Sequence, residues 1–158
     1  MEKSFQDHYP ESYRHCYGCG PDNDHGLRIK SYWDGDESIA DFQPQHYHLA
    51  FPGYVYGGLI ASLIDCHSTG TAAAAAYRRA GREQGSSPPF RFVTASLHVD
   101  YLKPTLMGPP LHLRSRITEI TDKKVIVTTD LLVEGTITAL GKVVAVHIPE
   151  HLVPENMH

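Results

Sequence analysis

Between Gly57 and Tyr77 the sequence reads as one apolar helix, and Asp65 is the only charged residue in it. The stretch opens on Gly57-Gly58, directly after Tyr56. These residue types at this spacing suit acyl transfer. A carboxylate can draw a proton from water or attack a carbonyl itself. A Gly-Gly pair at a helix start lets a ligand approach unpaired backbone N–H groups at the positive end of the dipole, where a carbonyl oxygen turning into an oxyanion is stabilised. Each feature also has a plainer reading. Asp65 is either solvated or paired with a basic residue on another chain, and the glycines only make a tight entry turn.

A helix must position these groups, and residue counting places its faces. At 100° per residue, Leu59, Leu63, Gly70, Ala74 and Tyr77 share a stripe, flanked by Ile60, Ile64 and His67. That stripe is the face for a sheet. Asp65 falls nearly opposite, among Ala61, Ser62, Thr69, Ala72 and Ala76. Small residues there permit close approach by a partner subunit or a ligand. Five alanines at 72–76 favour the helix, which is expected to start near Gly57 and end near Arg79 or Ala80, before Gly81.

The rest of the chain reads as strands and loops. Residues 1–26 form loops with a short helical turn in SFQDHYPESY. LRIKSYW (27–33) and ESIADFQ (37–43) pair as a hairpin across Asp34-Gly35-Asp36. PQHYHLAFPGYVY is a loop, and EQGSSPPF is a linker. After it, RFVTASLHVDYL, LHLRSRITEI, KVIVTTDLLVE and TITALGKVVAVHI make four long strands with short turns near Asp122-Lys123 and Gly135, read as an antiparallel meander. In the first of these, Val93, Ala95, Leu97, Val99 and Tyr101 are expected to share one face. The expected class is α+β, with one long helix against an antiparallel sheet of about six strands. The whole of 1–158 is expected to be one domain, with its core at 27–148.

Composition narrows the function. The chain has 158 residues, 41% hydrophobic, with a net charge of −4. That is enough for a substantial core and lacks the basic face that a nucleic-acid binder needs. No apolar run reaches the ~20 residues of a bilayer span. MEKSFQDHYP has no signal-peptide core, so the cytoplasm is the expected compartment. Three cysteines, Cys16, Cys19 and Cys66, do not suggest a disulfide framework.

The residues from Tyr56 to Asp65 resemble the His-Gly-Gly…Asp motif of hotdog-fold thioesterases of the phenylacetate-pathway, PaaI-like type. CYGCGPDNDHGLRIK, FPGYVYGG and ASLHVDYLKPT resemble further segments of that family in the same order, and the likeness runs over about 15–148. The resemblance implies a curled sheet wrapped round the helix. It also implies a homodimer with a continuous sheet, often paired as a dimer of dimers, and hydrolysis of acyl-coenzyme A at subunit interfaces. By the same resemblance, Asp65 is the base or the nucleophile, and the N–H of Gly57 or Gly58 polarises the thioester carbonyl. Thr94, supplied from the facing subunit, positions the water. His48 and Tyr56 line the pocket. The family usually has histidine where Tyr56 stands, and a phenol donates a hydrogen bond but is no base near neutral pH. No cofactor is implied, since coenzyme A belongs to the substrate.

Other groupings are weaker. His15, Cys16, Cys19 and His25 contain one C-x-x-C but no second ligand pair, and Cys66 is placed on the helix, so no metal site is expected. His67 reads as a core or interface histidine. Arg91, with Arg78, Arg79 and Arg82, either meets the phosphates of coenzyme A or is solvated. The alternative to an enzyme is a non-catalytic acyl-CoA or acyl-ligand binder using the same pocket.

Overall fold

The structure is a computed structural model that describes residues 1–154, so the last four residues of the expected domain lie outside it. Strands β1 (Ser31–Asp34) and β2 (Glu37–Phe42) form the first hairpin, and α1 spans Gly57–Arg79. Strands β3 (Phe92–Tyr101), β4 (Leu111–Ile120), β5 (Lys124–Val133) and β6 (Thr136–His147) follow. All pairs are antiparallel, in the order β1-β2-β4-β5-β6-β3. The sheet curls round α1, which packs on β3, β4, β5 and β6. This is the α+β hotdog arrangement that the resemblance implied.

Two expectations are corrected. The last four strands are not a simple meander. Strands β4, β5 and β6 are, but β3 lies beyond β6 at the sheet edge, because its chain crosses over before β4 begins. The first strand is also shorter than 27–33. The N–H groups of Leu27 and Ile29 bond to the carbonyls of Tyr17 and Gly18 instead of a strand, and Arg28 sits at φ 53°. Regular pairing therefore begins only at Ser31.

The helix faces follow the counting, with one exception. Leu59, Ile60, Leu63, Ile64, His67, Gly70, Ala74 and Tyr77 are all buried, whereas Ala61, Ser62, Asp65, Thr69 and Ala76 are partly exposed. Ala72, on the Asp65 side by counting, is fully buried. The helix lies close on β6 where Gly141 leaves room, since a Cβ there would meet Cγ2 of Ile64 at 2.3 Å.

A polar chain through the core links the first segment, the hairpin and the helix. Gln6 Nε2 donates to Ser31 Oγ at 3.2 Å, and Ser31 Oγ lies 2.8 Å from His67 Nδ1. His67 Nε2 lies 3.3 Å from Ser38 Oγ, which reaches Thr71 Oγ1 at 2.6 Å, and Thr71 donates back to the His67 carbonyl at 2.7 Å. One assignment satisfies every atom: neutral His67 accepts at Nδ1 and donates from Nε2. The first segment of the chain thus belongs to the packed core, with Phe5 and Gln6 almost fully buried.

Candidate active site

Asp65 lies half-buried in the wall of a cavity of about 620 Å³, facing Thr94 of its own chain. The Thr94 hydroxyl donates to Asp65 Oδ1. A bulge makes this possible. Thr94 pairs with Ala145 and Ser96 with Val144, so Ala95 is the extra residue. Before the bulge, Phe92 and Thr94 face the helix; after it, Leu97, Val99 and Tyr101 do, opposite the buried Val143, Gly141 and Ala139. The strict alternation expected for this strand therefore breaks at Ala95, and the break turns Thr94 toward the carboxylate. The resemblance implied a threonine from the facing subunit; here the contact forms within one chain.

The helix start makes a second cluster. Leu59 and Ile60 donate to the Tyr56 carbonyl, and Tyr56 supplies no side-chain cap. Among the described residues no hydrogen bond uses the N–H of Gly57 or Gly58. The Tyr101 hydroxyl donates to the Gly57 carbonyl at 2.7 Å, and burial raises the Tyr101 pKa. The Tyr56 ring lies across Gly58, where a Cβ would meet it at 2.4 Å. Tyr56 and His48 line another cavity, of about 570 Å³, and the Tyr56 N–H donates to the His48 carbonyl at 2.9 Å. His48 Nδ1 accepts from the Gln45 N–H at 2.9 Å, and burial lowers its pKa. The resemblance assigns Tyr101 no role, and the only sequence signal for it is its Tyr-Leu-x-Pro setting.

The two clusters do not meet in one chain. Asp65 lies eight positions after Gly57, about 12 Å along the helix at 1.5 Å per residue. An oxyanion donor must lie within about 3 Å of the reacting oxygen. Asp65 and the glycine amides of a single chain therefore cannot act on the same carbonyl.

Arg91 lines neither the Asp65 cavity nor the one beside Tyr56 and His48. Its guanidinium lies 5.5 Å from the centre of the Tyr13 ring, and its Nε is buried with no partner among the described residues. The cavity that holds Asp65 is also lined by Cys16, Cys19 and Cys66. The Cys16 thiol is held well below its ordinary pKa by hydrogen bonds from Cys19 and Cys66 and from the backbone of Cys19 and Gly18. Sharing those bonds pushes Cys19 and Cys66 up.

The Thioesterase superfamily profile matches residues 52–140, a span that includes α1, β3 and most of the sheet. A thioesterase superfamily protein from Shewanella loihica PV-4 is 46% identical over 89% of this chain and 100% of its own, with a TM-score of 0.68. The PaaI protein of the phenylacetic acid degradation operon of E. coli shares the fold at 14% identity, covering 78% of this chain and 81% of its own (TM-score 0.63). A Streptococcus mutans UA159 protein solved bound to acetyl CoA does so at 16% identity, covering 76% and 88% (TM-score 0.61). No curated protein matches. With the profile covering more than half of the residues and a near relative covering most of them, the chain belongs to the thioesterase superfamily.

Proposed function

We propose that the protein hydrolyses an acyl-coenzyme A thioester at a site shared by two copies of the chain. The observation that carries this is the separation of the two clusters along α1, together with the open edge between them. Among the described residues, strand β3 pairs only with β6 and its outer edge has no partner strand. Apolar Val93, Leu97 and Tyr101 are 44%, 41% and 53% exposed along it. A free edge with apolar side chains favours pairing with another strand. If two β3 strands pair antiparallel about a two-fold axis near Leu97, the Thr94 end of one chain meets the Tyr101 end of the other. Asp65 of one chain then approaches Gly57 and Gly58 of the partner subunit, as the 12 Å gap requires.

The chemistry uses those groups and water. In one route Asp65 takes a proton from a water held with Thr94, and the water oxygen bonds to the thioester carbon. The glycine N–H groups hold the resulting oxyanion. The intermediate collapses, the C–S bond breaks, and the thiolate recovers the proton from Asp65, leaving a free acid and coenzyme A. In the other route the carboxylate attacks directly and the C–S bond breaks to expel the thiolate; water then cleaves the mixed anhydride to the free acid and Asp65, whose proton passes to the thiolate. Tyr56 contributes as a hydrogen-bond donor, His48 lines the approach, and Arg91 takes a phosphate of coenzyme A. A cytoplasmic dimer of dimers completes the proposal.

The test is free-thiol release from a panel of acyl-CoAs by wild type and by Asp65→Asn. Release by wild type and a loss of at least 10²-fold in the variant are expected. Full rate in Asp65→Asn removes the base. Binding of acyl-CoA by wild type without thiol release leaves the non-catalytic binder.

A further inference from the structure

Three sulfurs converge in the cavity wall next to Asp65. Cys16 and Cys19 come from the turn CYGCG, and Cys66 comes from α1, 47 residues beyond Cys19. All three Sγ atoms lie within 4.8 Å of one another, and Cys16 and Cys66 are 3.9 Å apart. Four-coordinate zinc with Zn–S bonds of about 2.3 Å sets neighbouring sulfurs about 3.8 Å apart. A disulfide would need about 2.05 Å.

The backbone is shaped for this convergence. A Cβ on Gly18 would meet Cys66 Sγ at 2.2 Å, so only glycine lets the turn close over the helix thiol. A Cβ on Gly20 would meet the Arg14 carbonyl and the Cys16 nitrogen at 2.4 Å, and the Gly20 N–H closes the turn on the Cys16 carbonyl at 2.8 Å. Nearby bonds fix the turn from outside. Arg14 pairs with Asp22 at 2.6 Å, and Asn23 bonds the carbonyl of His15 at 3.0 Å. Cys16 and Cys19 share one turn, Cys66 is remote in the sequence, and folding brings it to them.

We propose that Cys16, Cys19 and Cys66 form a binding site for a thiophilic metal ion of the zinc class. Three thiolates hold the ion, and the fourth position, on the cavity side, takes a water. Soft thiolate sets select zinc over magnesium or calcium. Binding replaces thiol protons by metal–sulfur bonds, so protons are released and no electron is transferred. The ion ties the 16–19 turn to α1 beside Asp65.

The test reads metal, not turnover, so it stands apart from the thioesterase proposal. Reduced protein is stripped with chelator and titrated with zinc against a chromophoric competitor, and separately with cobalt. One ion per chain is expected, with a thiolate-to-cobalt charge-transfer band and proton release on zinc addition. Cys16→Ser, Cys19→Ser and Cys66→Ser should each weaken zinc binding at least tenfold. Zinc should raise the melting temperature of the wild type by several degrees and leave Cys66→Ser unmoved. Binding weaker than millimolar by wild type overturns the site, as does full-strength binding by all three variants. Mass spectrometry showing a Cys16–Cys66 disulfide as the stable state under reducing conditions overturns it too.

Discussion

At the scale of single residues, Asp65 is defined by what it touches. Its helix face was legible from counting, because a lone carboxylate among small residues stands out at 100° steps. Thr94 as its partner was not, since strict alternation put that residue on the other side of β3. The Thr94 hydroxyl donates to Asp65 Oδ1 and so fixes the carboxylate's orientation. Losing such a bond costs about 1–3 kcal/mol. Thr94→Val should therefore lower kcat for thiol release by roughly 10- to 100-fold with KM nearly unchanged. Thr94→Ser should recover most of the rate, which a purely structural role for the methyl group would not allow.

At the scale of elements, the decisive feature is β3. Periodicity gave its residues correctly but not its neighbour or its bulge. Both depend on contacts with β6, which lies 35 or more residues later in the chain. A sheet edge is invisible to local pattern, because edge and central strands alternate alike. Leu97 sits near the middle of β3, 41% exposed. Leu97→Lys would place two lysines face to face across a two-fold axis, and charges on an edge oppose pairing. Light scattering should show the wild type as at least a dimer and the variant shifted toward monomer. Thiol release should fall with the dimer fraction. A fully active monomer would remove the shared site.

At the scale of the whole molecule, the buried His67 links the N-terminal segment, the hairpin and the helix. Burial pushes its pKa from 6.5 down to about 4. The unfolded chain binds its proton at higher pH than the folded one, so stability rises with pH between about 4 and 6.5. The contribution is complete above pH 6.5 and is lost as the pH falls to about 4. The loss is about 3 kcal/mol. Urea unfolding at pH 7, 5.5 and 4 should show this decline in wild type and a clearly shallower one in His67→Asn.

The sequence by itself determined most of the elements and the candidate site residues: the helix span, its apolar stripe, the later strands, the two glycines and the lone carboxylate. Each follows from periodicity or conformational preference within a few residues. The tertiary structure alone decided which of those residues meet. It set β3 at the edge, turned Thr94 toward Asp65 and brought Cys66 under the Cys16–Cys19 turn. It also held the glycine amides two helical turns from the carboxylate. These are long-range pairings, and a rigid helix carries its residues at fixed spacing whatever chemistry they suit.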